Sequence, residues 1–226
     1  MNFCFNQNLE QVTGTIIKFL DQGCEAVGFV SPSHHVPHIK AIIKNIHNSG
    51  RHPVFVYNTN GFDKVEILKS LEGLIDVYLP DFKYFDPKIA REFSDAESYP
   101  KIVQAAIKEM YRQKGSTLVV SEFGQAITGL IIRHLVLPGQ NRDSARILKW
   151  IADELSPDVS ISLMSQYYPT LLVKDHPTLG RKITVQEYEQ VLQVMETLGF
   201  HKGWIQEFSS SGTYQPDFTR ENPFIV

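Results

Sequence analysis

Asp81 and Lys83 are the residues whose types and spacing most directly suggest chemistry. They follow an apolar run that ends at Leu79, and they are two positions apart. If the strand extends this far, both side chains point to the same face of the sheet. A carboxylate, which only accepts, beside an ammonium with three donors suits a zwitterionic or hydroxyl-bearing ligand. A turn carrying a weak exposed ion pair fits the same spacing equally well.

Arg133 is a second candidate site residue because it interrupts an apolar run. Leu130–Ile132 precede it, and Leu135–Leu137 follow shortly after. A charge in such a run either reaches solvent along its aliphatic stem or meets a partner in a buried cavity. We favour the buried partner, which makes Arg133 part of a functional site.

Histidines and cysteines do not form a complete metal-binding motif. His34 and His38 are four apart, a spacing that can place two imidazoles on one metal in a helix. Pro37 delays the start of that helix, and no nearby Cys or carboxylate completes a ligand set, so surface or capping histidines are favoured. Cys4 and Cys24 form no Cys-x-x-Cys, and we expect no disulfide between them. The Gly-rich nucleotide signatures and the Gly-x-Ser-x-Gly esterase signature are also absent.

The elements that position these residues alternate between strand and helix periodicity. The patterns predict strands at 26–30, 54–57, 74–79, 118–120, 130–137 and 159–163. Helices are predicted at about 11–22, over the apolar stripe 36–46, after an N-cap box of Asp63 and Glu66, at about 100–114, over 147–155, and from the capping box of Thr184 and Glu187 to Gly199. Repeated βα units indicate a mostly parallel sheet with right-handed crossovers, in an open sheet or a barrel.

Polar residues cluster directly after the predicted strands. Ligands bind at the carboxyl ends of the strands in both parallel architectures, so these residues are expected to converge on one face. The candidates at the strand ends are Ser33, His34, Asn58, Asn60, Asp81, Lys83 and Gln166.

Composition excludes several classes of protein. The 226 residues carry a formal net charge of −3 and are 42% hydrophobic, as in one soluble globular domain. The acidic balance disfavours nucleic acid and anionic membranes as partners. No apolar run approaches the roughly 20 residues of a membrane helix. The N-terminus lacks the pattern of a signal peptide, so a cytoplasmic location is expected.

Five motifs together resemble the radical S-adenosylmethionine (SAM) proteins related to the pyruvate formate-lyase activating enzyme. They occur in consistent order from about residue 6 onward: Gln7-Asn8-Leu9-Glu10, Val56-Tyr-Asn-Thr-Asn-Gly61, Tyr78-Leu-Pro-Asp-Phe-Lys-Tyr84, Ile131-Ile-Arg-His-Leu-Val-Leu-Pro-Gly139 and Met164-Ser-Gln-Tyr167. The resemblance implies a partial (β/α)6 TIM-like barrel in a single domain over 1–226. Its core would span about 8–200, with a C-terminal extension at 201–226.

The resemblance also implies a SAM-binding pocket. Asp81 and Lys83 match a strand-end pair that contacts SAM, and Arg133 matches an arginine that faces the same pocket. Asn58 stands where the family has an aspartate linked to cation binding. The family's Gly-Gly-Glu segment that holds the methionyl amine corresponds to Ser31-Pro-Ser33, and His34 follows it directly. Asn60 and Gln166 lie in the matching strand-end motifs, and no catalytic residue is assigned.

The family's [4Fe-4S] cluster motif, Cys-x3-Cys-x2-Cys, is missing from the sequence. Aligning Gln7-Asn8 with the family places the last two cysteine positions at Phe3 and Asn6, with the first before Met1. Cys4 is one residue out of register, and one thiolate cannot replace three. The first barrel strand is expected to be absent as well, which would leave a sheet edge open.

Three hypotheses follow from this combination. The chain is a radical SAM enzyme of the activating type, with a possible protein substrate, that has lost its N-terminus. Alternatively, it is a degenerate member that binds SAM or another small ligand without redox chemistry. The third hypothesis is a remnant that pairs its open edge with a partner subunit. Because the cluster motif is missing, we expect the chain not to cleave SAM.

Overall fold

The computed structural model describes residues 8–208 and shows parallel strands alternating with helices. The helices are α1 (Leu9–Asp21), α2 (Val36–Asn48), α3 (Val65–Lys69), α4 (Pro87–Ser94), α5 (Tyr99–Lys114), α6 (Asn141–Glu154) and α7 (Val185–Thr197). The strands are β1 (Ala26–Val30), β2 (Val54–Thr59), β3 (Val77–Pro80), β4 (Val119–Val120), β5 (Ala126–Leu135), β6 (Ser160–Met164) and β7 (Gly203–Ile205). Short 3-10 turns lie at Pro32–His34 and Leu171–Val173. The α/β class predicted from the sequence is confirmed.

Capping side chains set the starts of the first and last helices. Asn8 accepts from the backbone N–H of Gln11, and the Gln11 side chain accepts from the backbone N–H of Asn8. Thr184 and Glu187 form the same reciprocal box at the start of α7, as the sequence predicts. Each box satisfies backbone donors that have no partner inside the helix.

The chain divides into two compact units, and the described part of the first comprises residues 8–80 and 101–130. In this unit β1 pairs with β2 and β2 with β3, in parallel, and β3 pairs with the first half of β5. The short strand β4 runs antiparallel to the start of β5. The unit buries aromatic and aliphatic side chains from its strands and helices, among them Ile43, Phe55, Tyr57, Leu68, Tyr78 and Ile107.

The second unit comprises Asp81–Pro100 and, in its described part, residues 131–208. Here the second half of β5 pairs with β6, and β6 pairs with β7, both in parallel. Its core side chains include Phe82, Ile132, Ile147, Leu148, Ile151, Ile161, Leu163 and Val191. The single-domain organisation over 1–226 remains a prediction.

Two elements and two strand starts differ from the sequence expectations. Neither α4 nor β7 was predicted, and β7 lies beyond residue 200, where an extension was expected. β3 begins at Val77 instead of residue 74, because the preceding residues form a turn after Gly73, which has φ +77°. β5 begins at Ala126 instead of residue 130, because its first residues pair with β4. Within residues 8–208 no helix has the length and apolar character needed to cross a membrane.

Candidate ligand-binding site

Asp81, Lys83 and Arg133 form a contiguous charged group in the second unit, here called the triad. Lys83 Nζ donates to Asp81 Oδ2 at 2.7 Å. Arg133 donates to Asp81 Oδ1 from Nε at 2.8 Å, with Nη2 2.6 Å from the same oxygen. One carboxylate therefore holds both cations, and such charge-assisted hydrogen bonds are stronger than neutral ones.

The backbone explains why these three side chains meet. Asp81 and Arg133 form an isolated parallel bridge, which extends the pairing beyond the end of β3. Phe82 N–H donates to the Arg133 carbonyl at 2.9 Å. Asp81 and Lys83 lie on either side of this bond, so the two-residue period of extended chain directs them to one face. Asp81 is therefore the partner of Arg133, the charge that interrupts the apolar run.

Exposure and charge make the triad suitable for an anionic group. The side chain of Asp81 is 14% exposed, whereas Arg133 is 26% and Lys83 is 41% exposed. Two cations against one carboxylate leave a formal net charge of +1. The carboxylate is largely covered while both cations reach solvent, so a ligand meets positive charge first.

His134 binds the backbone between Asp81 and Lys83. It is buried; its Nδ1 lies 2.7 Å from the Phe82 carbonyl, and its Nε2 lies 2.8 Å from Ser144 Oγ. A carbonyl only accepts, so Nδ1 carries the proton and Nε2 accepts from the serine hydroxyl. Burial lowers the pKa of His134 to about 4, which keeps the imidazole neutral at pH 7.

Four of the predicted site residues lie in the first unit, at the ends of β1 and β2. His34 is exposed on the 3-10 turn, and Ser33 is half-buried on the same turn. The Asn58 carbonyl accepts from the backbone N–H of Ser31 at 2.9 Å. Asn60 Oδ1 accepts from Phe62 N–H, which closes a local turn. The roles of these four residues toward a ligand stay predictions.

Gln166 lies in the second unit, just after β6. Its Oε1 accepts from Gln206 Nε2 at 2.9 Å, and its Nε2 lies 3.9 Å from Met164 Sδ. In the described part of the chain, these contacts fix the amide against β6 and the segment after β7. Its role toward a ligand also stays a prediction.

A buried carboxylate in the first unit has a different role from the one its spacing suggests. The sequence pattern makes Asp63 the start of α3, but Lys64 occupies the N-cap and no side chain caps that helix. Asp63 is buried and accepts from Tyr57 at 2.9 Å and from Thr59 at 2.5 Å. Burial, followed by the charge of Asp63, raises the pKa of Tyr57 above its usual value.

Cluster ligands are not provided by residues 8–208. Within that range, no three His, Cys, Asp or Glu side chains are grouped to hold a metal ion. Cys24 is an exposed free thiol, and Cys4 lies outside the described residues. His34 and His38 are both exposed, and His38 is on α2 while His34 is on the preceding turn. The thiolates that an iron–sulfur cluster requires are therefore not assembled in this part of the chain.

Comparisons with known proteins support the fold. No family model matches the chain. An uncharacterized protein of Methanocaldococcus jannaschii is 28% identical over 196 residues, which are 86% of this chain. The chain spans about half, 53%, of that relative's length.

The structural comparison finds a domain of pyruvate-formate lyase-activating enzyme from Bacteroides vulgatus. Its TM-score is 0.57 at 16% identity, and the match covers 80% of this chain and 98% of that domain. This likeness confirms the predicted fold class, an α/β fold of the partial-barrel type.

Proposed function

We propose that this chain is a radical SAM-like module that binds SAM, or a small molecule with the same amino-acid headgroup, at the triad. The observation that carries the proposal is the pair of cations on one largely covered carboxylate, with net charge +1. Asp81 and Lys83 follow β3, and Arg133 lies near the carboxyl end of β5. Ligands bind at the carboxyl ends of the strands in parallel α/β folds. The fold of the activating-enzyme domain supports the choice of SAM as the first ligand to test.

The chemistry of the triad fits the amino-acid end of SAM. Lys83 has three ammonium donors and Arg133 has five guanidinium donors, of which one and two contact Asp81. The remaining donors suit the carboxylate of the ligand. Asp81 Oδ2 receives one of the two hydrogen bonds that a carboxylate oxygen accepts, so it can accept one more from a ligand ammonium or hydroxyl.

The residues of this chain do not fit a [4Fe-4S] cluster of the family type. The 226 residues include two cysteines, and the described part contains only Cys24. Two cysteines cannot supply the three thiolates that hold such a cluster. We therefore assign no redox step to this chain and no residue a catalytic role.

A second candidate function is the activation of a protein substrate by a larger assembly. The solved neighbour is a domain of a pyruvate-formate lyase-activating enzyme, and the archaeal relative is about twice as long as the matched segment. In this case, the chain supplies the SAM-binding residues, and the thiolates come from outside residues 8–208. Both candidates require the amino-acid headgroup of SAM to bind at the triad.

Calorimetric titration of the chain with SAM tests the proposal. We expect saturable binding that Arg133→Met weakens at least about tenfold, because a charge-assisted hydrogen bond contributes about 1.5–3 kcal/mol. S-adenosylhomocysteine keeps the same headgroup and should bind as well, whereas adenosine lacks it and should bind more weakly.

Lys149→Met is the matched control for the loss of a cation. Lys149 is 68% exposed on α6 and pairs with Asp153, so its removal should leave SAM affinity unchanged. Equal affinity of the wild-type chain and Arg133→Met for SAM, or no saturable binding at all, overturns the proposal.

A further inference from the structure

The segment Asp81-Phe82-Lys83 is held by a hydroxyl group from a different element. Tyr99 is the first residue of α5 and is buried. Its phenol oxygen accepts from the backbone N–H of Lys83 at 3.0 Å and donates to the Asp81 carbonyl at 2.8 Å. One hydroxyl therefore bridges the backbones of the two residues whose side chains form the ion pair.

The backbone N–H and carbonyl of Phe82, between these two residues, are bound by residues of β5. Phe82 N–H donates to the Arg133 carbonyl, and the Phe82 carbonyl accepts from His134. Both sets of bonds fix the direction in which the Asp81 and Lys83 side chains leave the chain. Lys83 has a long, flexible stem, so its alignment with Asp81 depends on a fixed backbone.

We propose that Tyr99 is a positioning residue that orients Asp81 and Lys83 for ligand binding through this hydroxyl bridge. The inference rests on the proposed function of the triad, which it deepens. Tyr99 does not touch the ligand; it holds the two side chains in the geometry that the ligand meets. A preorganised site binds more tightly, since less freedom is lost on association.

Tyr84 provides a matched control within the same aromatic cluster. Its ring packs edge-to-face on Tyr99 with centroids 5.7 Å apart, and it is also buried. Its hydroxyl pairs with Ser94 Oγ at 2.8 Å and not with the Asp81–Lys83 segment. Tyr99→Phe and Tyr84→Phe each remove one bonded hydroxyl from this cluster, but only the first removes the bridge.

The first measurement is SAM affinity by calorimetry on the full chain. We expect Tyr99→Phe to weaken binding at least about fivefold and Tyr84→Phe to leave it unchanged within about twofold. Equal losses in the two variants would indicate a general packing effect and overturn the proposal.

The second measurement is independent of any ligand. The Lys83 ammonium group gives a lysine side-chain ¹H–¹⁵N signal, which is assigned by its loss in Lys83→Met. We expect a sharp signal in the wild-type chain and in Tyr84→Phe, and a broadened or shifted signal in Tyr99→Phe. An identical signal in all three proteins overturns the positioning role, whether or not SAM binds.

A third measurement requires no variant. The backbone N–H of Lys83 donates to the buried Tyr99 hydroxyl, so its hydrogen exchange in the wild-type chain should be slow. Exchange as fast as that of an exposed loop amide would overturn the bridge itself. If SAM fails to bind while the Lys83 signal behaves as expected, the proposed ligand is wrong and the positioning by Tyr99 still holds.

Discussion

Asp81 is the residue on which the charges of the triad depend. Its carboxylate receives both Lys83 and Arg133, so its loss leaves two neighbouring cations without their shared partner. Removing one side of a partly buried charged cluster costs more than the net value of the contact, because the remaining charges stay desolvated. This asymmetry gives a stability test of the triad that needs no ligand.

We expect Asp81→Asn to lower the free energy of unfolding by about 1–3 kcal/mol. The control is Asp153→Asn, which removes a carboxylate that pairs with Lys149 at 2.9 Å and is 53% exposed. That change should cost less than about 1 kcal/mol. Urea unfolding of both variants and the wild-type chain measures the difference. Equal costs would show that the triad behaves as an ordinary surface pair.

His134 makes stability depend on pH in a defined window. Its pKa is lowered to about 4 in the folded chain by burial, whereas an unfolded histidine titrates near 6.5. Between these values the unfolded state binds more protons, so stability falls as the pH falls from about 6.5 to 4. The slope from one such group reaches about 1.4 kcal/mol per pH unit.

The variant His134→Asn removes this titration and retains an amide donor for the Phe82 carbonyl. We expect its unfolding free energy to depend less on pH between 6.5 and 4 than that of the wild-type chain. His38→Asn changes an exposed histidine and should keep the wild-type slope. Parallel slopes for the wild-type chain and His134→Asn would contradict the assignment of the effect to His134.

At the scale of elements, the start of α7 depends on one carboxylate. Glu187 accepts a two-point contact from Arg181 at 2.7 and 2.8 Å, and it also accepts from the backbone N–H groups of Thr184 and Gly139. The Arg181 contact is the largest cause that lowers the pKa of Glu187 to about 2. The carboxylate thus joins the helix cap to the loop after β5.

Glu187→Gln should destabilise the chain by about 1–3 kcal/mol at pH 7, since it weakens charged hydrogen bonds at a helix cap. The depressed pKa means that this contribution is present above about pH 4.5 and is lost as the pH falls through 2. Urea unfolding at several pH values should show the gap between variant and wild type closing toward acid pH. Glu189→Gln, at an exposed position of the same helix, should show no such gap.

Element boundaries were predictable where the local chemistry determines them. The Thr184–Glu187 box fixed the start of α7, and the period of β1 gave its bounds correctly. α4 is only eight residues long, so its apolar stripe of Ile89, Ala90 and Phe93 covers little more than one helical repeat and is too short to identify a helix by its period. β7 has three exposed residues and exists because it pairs with β6, a contact that local sequence does not encode.

At the scale of the whole molecule, sequence could predict the triad but not what holds it. Asp81 and Lys83 share a face because of the two-residue period, and Arg133 was conspicuous as a charge in an apolar run. Tyr99 directly precedes the helix predicted at about 100–114, and its hydroxyl reaches the Asp81–Lys83 segment only through folding. The contacts of His134 also arise only through folding, because its partners Phe82 and Ser144 lie 52 and 10 residues away in the chain.

The cysteine count of the whole chain leads to a last prediction. Two thiols, one of them exposed Cys24, cannot supply the three thiolates of a cluster that leaves one iron open for SAM. After anaerobic reconstitution with iron and sulfide, we expect well under one [4Fe-4S] cluster per chain. With SAM and a reductant added, we expect no 5′-deoxyadenosine.

SAM binding measured on the same preparation tests the ligand binding that both proposed functions require. Binding without a cluster agrees with a ligand-binding module, and also with a module that receives its thiolates from another polypeptide segment. Cys24→Ser serves as the control for adventitious iron, since it removes the exposed thiol. A full cluster in the wild-type chain that cleaves SAM would contradict the prediction, because the ligands would then have to come from groups other than three cysteines of this chain.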